Sequence, residues 1–303
     1  MKHVATIAVL LGLLTAGMVS AADPDPKLAF KLDEKGNFVF DTGVIKGSLA
    51  KEGKGPALQA TDVATNTPIN HANGLLIPYR FLIQEKRFGV GAWEWPRTGK
   101  LLDDGAAEIQ WASTDERPFD VKATCRWKAA DTLDMTLTFA AGRDLEKFEL
   151  FVGSYFKNFP KSRAYVKDAG DGKPGFVESP KDKGDWHCYP KNDEVLSIIK
   201  DGRWKHPPYP LTWTIRPALA APLGMRQQPE TGLTVLIMAP PQDCFAMFTP
   251  EQNMSLGSFY FTLFGKDVKK GETLTSRPRL VFGKNITDEQ AVAKYQEYLK
   301  DLK

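Results

Sequence analysis

From Phe119 to Phe139 the chain alternates apolar and polar residues with one short break. Phe119, Val121, Ala123, Cys125 and Trp127 alternate with Asp120, Lys122, Thr124 and Arg126. After Ala129, Ala130 and Asp131 the pattern resumes as Leu133, Met135, Leu137 and Phe139 against Asp134, Thr136 and Thr138. Strand side chains point to opposite faces with period two, so these residues predict two half-buried strands joined as a hairpin. A sheet with one packed and one wetter face is the antiparallel kind. The same alternation predicts strands at Phe38–Phe40, Ala107–Trp111, Phe148–Val152 and Phe259–Leu263. Leu233 to Met238 is a continuous apolar run, suited to a strand buried on both faces, and Cys244 to Phe248 follows it. Gly43 to Gly55 reads as turns. Leu75 to Ile83 carries Pro78 and reads as an edge strand or an irregular segment. Gly265 to Gly271 is expected to turn into a last strand, Thr273 to Phe282. Strands spaced roughly ten residues apart with turn signals between them indicate a sandwich or barrel.

The chain ends in a predicted helix. Thr287-Asp288-Glu289-Gln290 is a capping box, and Val292, Tyr295, Leu299 and Leu302 recur at helical spacing. Between Asn158 and Pro217 the character changes. Eight prolines and Trp186, Trp204 and Trp213 fall in this stretch, with few apolar runs. It reads as short elements and loops wrapping one side of the sheet, the kind of long connection that usually has a function.

The N-terminus reads as a secretory signal. Lys2 and His3 precede an apolar run from Val4 to Ala16, and Val19-Ser20-Ala21-Ala22 supplies the small residues of a cleavage site. The run is shorter than the about 20 apolar residues a bilayer span needs. Residues 1–22 are therefore set apart as a signal peptide, and 23–303 are read as one β-sandwich domain, periplasmic or secreted, with no membrane span after cleavage. The remaining length of about 280 residues suffices for a large core. The 40 Lys and Arg residues are interspersed with 37 Asp and Glu residues, which argues against nucleic acid as a partner. Cys125, Cys188 and Cys244 lack metal-ligand spacing, and no metal or cofactor is indicated. In an exported chain, three cysteines can form one disulfide and leave one thiol.

Phosphate loops, dinucleotide fingerprints, HExxH and GxSxG are absent. Three clusters remain. The first joins Asn70-His71, Tyr79-Arg80 and Arg87 to Trp93-Glu94-Trp95-Pro96-Arg97. Tryptophans beside a carboxylate suit a sugar: indole faces take the apolar face of a pyranose, and the carboxylate accepts from hydroxyls or moves a proton. The same residues also fit a strand with Trp93 and Trp95 in the core and Glu94 in solvent. The second is Asp185-Trp186-His187-Cys188-Tyr189 with Asp201-Gly202-Arg203-Trp204-Lys205-His206. Its histidines suit proton transfer near neutral pH, or serve with the tryptophans to seal loops. The third, Glu251-Gln252-Asn253, is either a base at a strand end or a polar turn.

Cys244-Phe245-Ala246-Met247-Phe248, Phe259-Tyr260-Phe261-Thr262-Leu263-Phe264-Gly265 and Gly271-Glu272-Thr273 resemble the closing strands of the galactose-mutarotase-like β-supersandwich group. The Trp-Glu-Trp-Pro and Asp-Gly-Arg-Trp-Lys segments are similar to those of an exported branch of it. That resemblance implies an antiparallel supersandwich binding carbohydrate on a concave sheet. It also implies a His acid and a Glu base, for which Asn70-His71 and Glu251-Gln252 are the nearest counterparts. The flanking residues differ from the epimerase pattern, and a second His has no equivalent.

The expected protein is thus all-β, with a loop-rich side and a C-terminal helix. It is expected to be carbohydrate-active, with proton transfer on a sugar, of epimerase or lyase type, as its enzymatic form. His187, His71 and Glu94 would act as acids and bases. Arg80, Trp93, Trp95, Trp186, Arg203 and Trp204 would hold the saccharide. A non-catalytic carbohydrate-binding protein or a structural protein of the cell envelope is the alternative. Exposed tryptophan rings would favour sugar binding, and buried ones the structural role.

Overall fold

The computed structural model describes residues 25–255 and 257–303; the expected signal peptide lies outside them. Three sheets build the described part. A small sheet runs Lys31–Leu32, Phe38–Asp41, Ile45–Leu49, Gln59–Asp62. The Ile45–Leu49 strand falls where glycines and lysines suggested only turns; Ile45 and Leu49 are buried at its ends. The largest sheet is ordered Gly175–Glu178, Lys161–Val166, Leu219–Gln227, Leu233–Met238, Arg279–Lys284, Thr132–Ala141, Phe119–Ala129, Ala107–Trp111, Thr98–Leu101. Thr273–Ser276 pairs beside it with Thr132–Ala141. The last predicted strand is thus two, with Arg277 and Pro278 between them. The middle sheet is ordered Thr214–Ile215, Trp186–Pro190, Cys244–Pro250, Ser258–Val268, Leu145–Tyr155, Ile77–Leu82. All its pairings are antiparallel except Thr214–Ile215 with Trp186–Pro190.

The predicted hairpin forms in register, Phe119 opposite Ala141 and Ala123 opposite Leu137, and its apolar residues are buried at alternate positions. Those residues face the middle sheet. Phe139 stacks on Phe148 at 4.0 Å between centroids, and Phe119 on Phe81 at 5.2 Å. Arg226 ties the two sheets together. It leaves the Leu219–Gln227 strand and donates to the carbonyls of Phe159 and Ser258 and the hydroxyl of Thr249, at 2.7–2.9 Å. Burial lowers its pKa to about 9, so it stays charged at neutral pH. Cys125, Cys188 and Cys244 are all buried and free, so the one disulfide that three cysteines could have formed is not made.

At the C-terminus Asp288–Asp301 is helical. Both hydrogen bonds of the capping box are made, and Ala291, Tyr295 and Tyr298 are buried. The stretch 158–217 holds strands Lys161–Val166, Gly175–Glu178 and Trp186–Pro190 and a helical turn Leu196–Ile199. Trp204 and Trp213 lie against Phe248, at 5.2 and 4.6 Å, so this stretch covers part of the middle sheet's outer face.

Candidate functional site

The rest of that outer face is open. A cleft of about 550 Å³ lies over it, within the usual range for small-molecule sites. Tyr79 and Arg80 reach it because of a register irregularity at the sheet edge. Leu150 pairs with Phe81 and Val152 with Pro78, so Tyr79 and Arg80 together oppose Phe151. Two residues against one is a β-bulge, which turns neighbouring side chains to the same side. The edge position and irregularity of this segment were legible from Pro78; the bulge was not.

Tyr79, Tyr155 and Tyr260 form an aromatic floor, with centroids 5.7–6.2 Å apart. Trp93 stacks on Tyr79 at 5.0 Å and 18°. Burial pushes the Tyr260 phenol up to about 12 and raises Tyr155 well above the ordinary range, so both hydroxyls are neutral near pH 7. Glu94 is exposed and is the one carboxylate among the described residues lining the cleft. Trp186 lines it too, edge-on to Trp213. Above the cleft, Tyr209 and Pro210 belong to a strap held by the edge strand and the loop after it: Arg80 donates to the Tyr209 carbonyl at 2.9 Å and Arg87 to the Pro208 carbonyl at 2.6 Å.

Four of the nine candidate residues therefore meet in one place: Arg80, Trp93, Glu94 and Trp186. The Trp-Glu-Trp segment is neither the strand nor the paired-platform arrangement expected from sequence. Ala92–Glu94 is a single 3-10 turn, which sends Trp93 and Glu94 to the cleft and Trp95 into the core. Trp95 packs on Phe81 at 4.7 Å, under the guanidinium of Arg117 at 4.1 Å. Trp204 is buried against Phe151 at 4.1 Å. Arg203 is fully buried, bonded to Asp201 and Glu149, and out of reach of a ligand. His187 is also fully buried. It pairs across the sheet with Thr249, whose hydroxyl meets Ser162 of the largest sheet, so His187 faces the space between the sheets. His71 is exposed. Its backbone N–H donates to the Tyr155 carbonyl, which sets it beside the rim without lining the cleft.

The counterparts suggested by resemblance have local duties. The Asn70 amide bonds to Gln59 and to the backbone of Ala60 and His71, and the Glu251 carboxylate accepts from the Asn253 N–H. Sequence reasoning missed Asn73, Tyr155, Tyr209 and Tyr260. Tyr155 and Tyr260 alternate with the apolar positions of their strands, which was the available signal that they face away from the core.

Gly91 shapes the Trp93 wall. A Cβ at this position would lie 2.6 Å from the Trp93 ring. Gly91→Ala is therefore expected to displace Trp93 while leaving every polar group of the cleft in place. A shifted tryptophan emission spectrum, with an unfolding midpoint near that of the parent, is the expected result. An unchanged spectrum would contradict the packing described.

Likeness to known proteins lies in the fold. An α-N-acetylgalactosaminidase from Bifidobacterium bifidum, in complex with GalNAc, matches 87% of this chain with a TM-score of 0.54 and 7% identity; the match spans 39% of that enzyme's chain. A galactose mutarotase related enzyme from Lactobacillus acidophilus matches 83% of this chain and 99% of its own at 0.49 and 7% identity. A galactose mutarotase-like protein from Lactobacillus casei matches 82% and 100% at 0.46 and 10% identity. No protein-family model and no curated protein matches the sequence. At these identities a likeness shows fold and leaves activity to the site itself. With its stacked, mostly antiparallel sheets the chain is an all-β sandwich, the fold it shares with the matched part of the Bifidobacterium bifidum enzyme.

Proposed function

We propose that this protein is exported to the periplasm or beyond and is carbohydrate-active, holding a saccharide in the cleft. The observation that carries the reading is the half-exposed Trp93 ring, stacked on Tyr79 and lining an open cavity with Trp186. An indole backed by another ring and bordering a cavity can meet the apolar face of a pyranose. In the enzymatic form, Glu94 exchanges a proton with the bound sugar, as epimerisation or β-elimination requires. The neutral hydroxyls of Tyr155 and Tyr260 and the nearby His71 are the available proton donors. A second reading, non-catalytic binding, is favoured by one observation: no histidine side chain lines the cleft with Glu94 among the described residues.

Glu94→Gln separates the two. For an enzyme, turnover is expected to fall by about 100–10,000-fold, with affinity changed only a few-fold. For a binding protein, calorimetry of parent and variant gives similar affinities and neither turns over substrate. Turnover that survives the substitution would remove Glu94 from proton transfer.

A further inference from the structure

Two guanidinium groups lie against the Tyr79 ring without a carboxylate partner among the described residues, and of the two Arg80 lines the cleft. Arg80 is 1% exposed and Arg87 8%. Arg80 makes one hydrogen bond, from Nη2 to the Tyr209 carbonyl, and its Nε and Nη1 have no partner among the described residues. Arg87 donates to the carbonyls of Pro208 and Val90, and its Nε has no partner.

Other buried arginines are treated differently. Arg203 pairs with Asp201 and Glu149, and Arg279 with Asp134 and Asp301. Arg226 has no carboxylate among the described residues but is surrounded by four oxygen acceptors and does not line the cleft. Arg97 lacks partners too, yet it lies away from the cleft, against the Gly55 turn. Only Arg80, among the described buried arginines, combines unfilled donors with a border on the cleft.

Aromatic faces offset part of the cost of burying these charges. The Arg80 carbon lies 5.2 Å from the Tyr79 centroid and 5.4 Å from that of Trp204; the Arg87 carbon lies 5.1 Å from Tyr79. Aromatic faces provide no in-plane hydrogen-bond acceptor. A buried cation without an anion is costly, and an anion that completes the set gains both charge and hydrogen bonding. The cleft is the open side from which it can come. Among the described residues, Glu94 is the one carboxylate lining the cleft, and it is exposed.

Building on the proposal that the cleft takes a saccharide, we infer that the saccharide is acidic. Its carboxylate or sulfate group sits over Arg80 while its ring lies on Trp93. Neutral sugars fill the same aromatic cleft but leave the guanidinium uncompensated.

Calorimetry with matched ligands tests this. The probes are galacturonate and glucuronate oligomers, their neutral galactose and glucose counterparts, a sulfated oligosaccharide, and inorganic sulfate alone. An acidic oligomer is expected to bind about 10–100-fold more tightly than its neutral match, the range of a charge-assisted hydrogen bond. That preference should shrink as salt is raised. Arg80→Gln should abolish it, read as the ratio of acidic to neutral affinity falling to about one; should that variant not fold, the salt dependence of the parent decides. Equal affinity for acidic and neutral oligomers, unaffected by salt, would overturn the charge inference and leave the saccharide reading standing. Inorganic sulfate binding as tightly as the acidic oligomers would overturn it in favour of a simple anion site. Binding by none of these ligands would overturn the saccharide reading itself.

Discussion

Arg203→Leu is expected to lower the free energy of unfolding by about 3–5 kcal/mol, the usual cost of removing one partner from a buried ion pair. Arg203 and Glu149 are fully buried, and Asp201 nearly so. Arg203 also donates to the Lys147 carbonyl at 2.6 Å, so one side chain holds the 201–205 turn against the Leu145–Tyr155 strand. Without it, Glu149 retains the Thr262 hydroxyl at 2.6 Å as its hydrogen-bond donor. Because the loss comes from a stranded acid, adding Glu149→Leu to the variant should recover part of it. Urea unfolding with an unchanged slope and a lowered midpoint is the expected record. A loss below about 1 kcal/mol, as exposed ion pairs give, would show that the group is not buried as described.

His187→Leu is expected to change the pH dependence of stability rather than its value at neutral pH. Both ring nitrogens lack hydrogen-bond partners among the described residues, so removing them at pH 7 forfeits no bond. Burial, with Arg216 nearby, lowers the His187 pKa from 6.5 to about 4. The unfolded chain then binds more protons between those values. The contribution of neutral His187 is complete above about 6.5 and is lost as pH falls towards 4. Glu149 has the opposite sign. Burial raises its pKa from 4.5 to about 7, so its contribution is complete below 4.5 and is lost as pH rises through 7. Each effect is on the order of 3 kcal/mol over its window, and the two oppose each other between about pH 4.5 and 6.5. The leucine variant should therefore lose stability as pH rises from 4.5 to 7. A Glu149→Gln variant should lose it as pH falls below 6.5. Parallel pH profiles for parent and both variants would refute the assignment of both groups.

The fold was legible because alternation is a local signal repeated at each strand. Phe119–Phe139, Leu233–Met238 and the Thr287 capping box were each read from a few neighbouring residues. Ile45–Leu49 escaped because its interior is Lys46, Gly47 and Ser48, with its apolar residues only at the two ends. The site was legible in part. Aromatic and charged residues near Trp93 marked the right segment, yet a single 3-10 turn decided that Trp93 and Trp95 part company, and nothing in Trp-Glu-Trp-Pro announces that turn. His187 and Arg203 drew attention as ionisable residues in a loop-rich stretch. Their burial follows from strand pairing and from Glu149, about fifty residues earlier, which sequence alone does not bring together. Tyr155 and Tyr260 carry the converse lesson: they fall at the positions that alternate with the apolar ones of their strands, so period two placed them on the face away from the core, and the cavity on that face was not legible.

The most direct test of the proposed saccharide cleft is a fluorescence titration of the protein with acidic and neutral oligosaccharides, run in parallel on Trp93→Phe. The account predicts a saturable change in tryptophan emission with the acidic series that is lost or strongly reduced in the variant, because the ring that meets the sugar is Trp93. A saturable change of the same size in the variant would place the ligand elsewhere, and no saturable change with any saccharide would contradict the account.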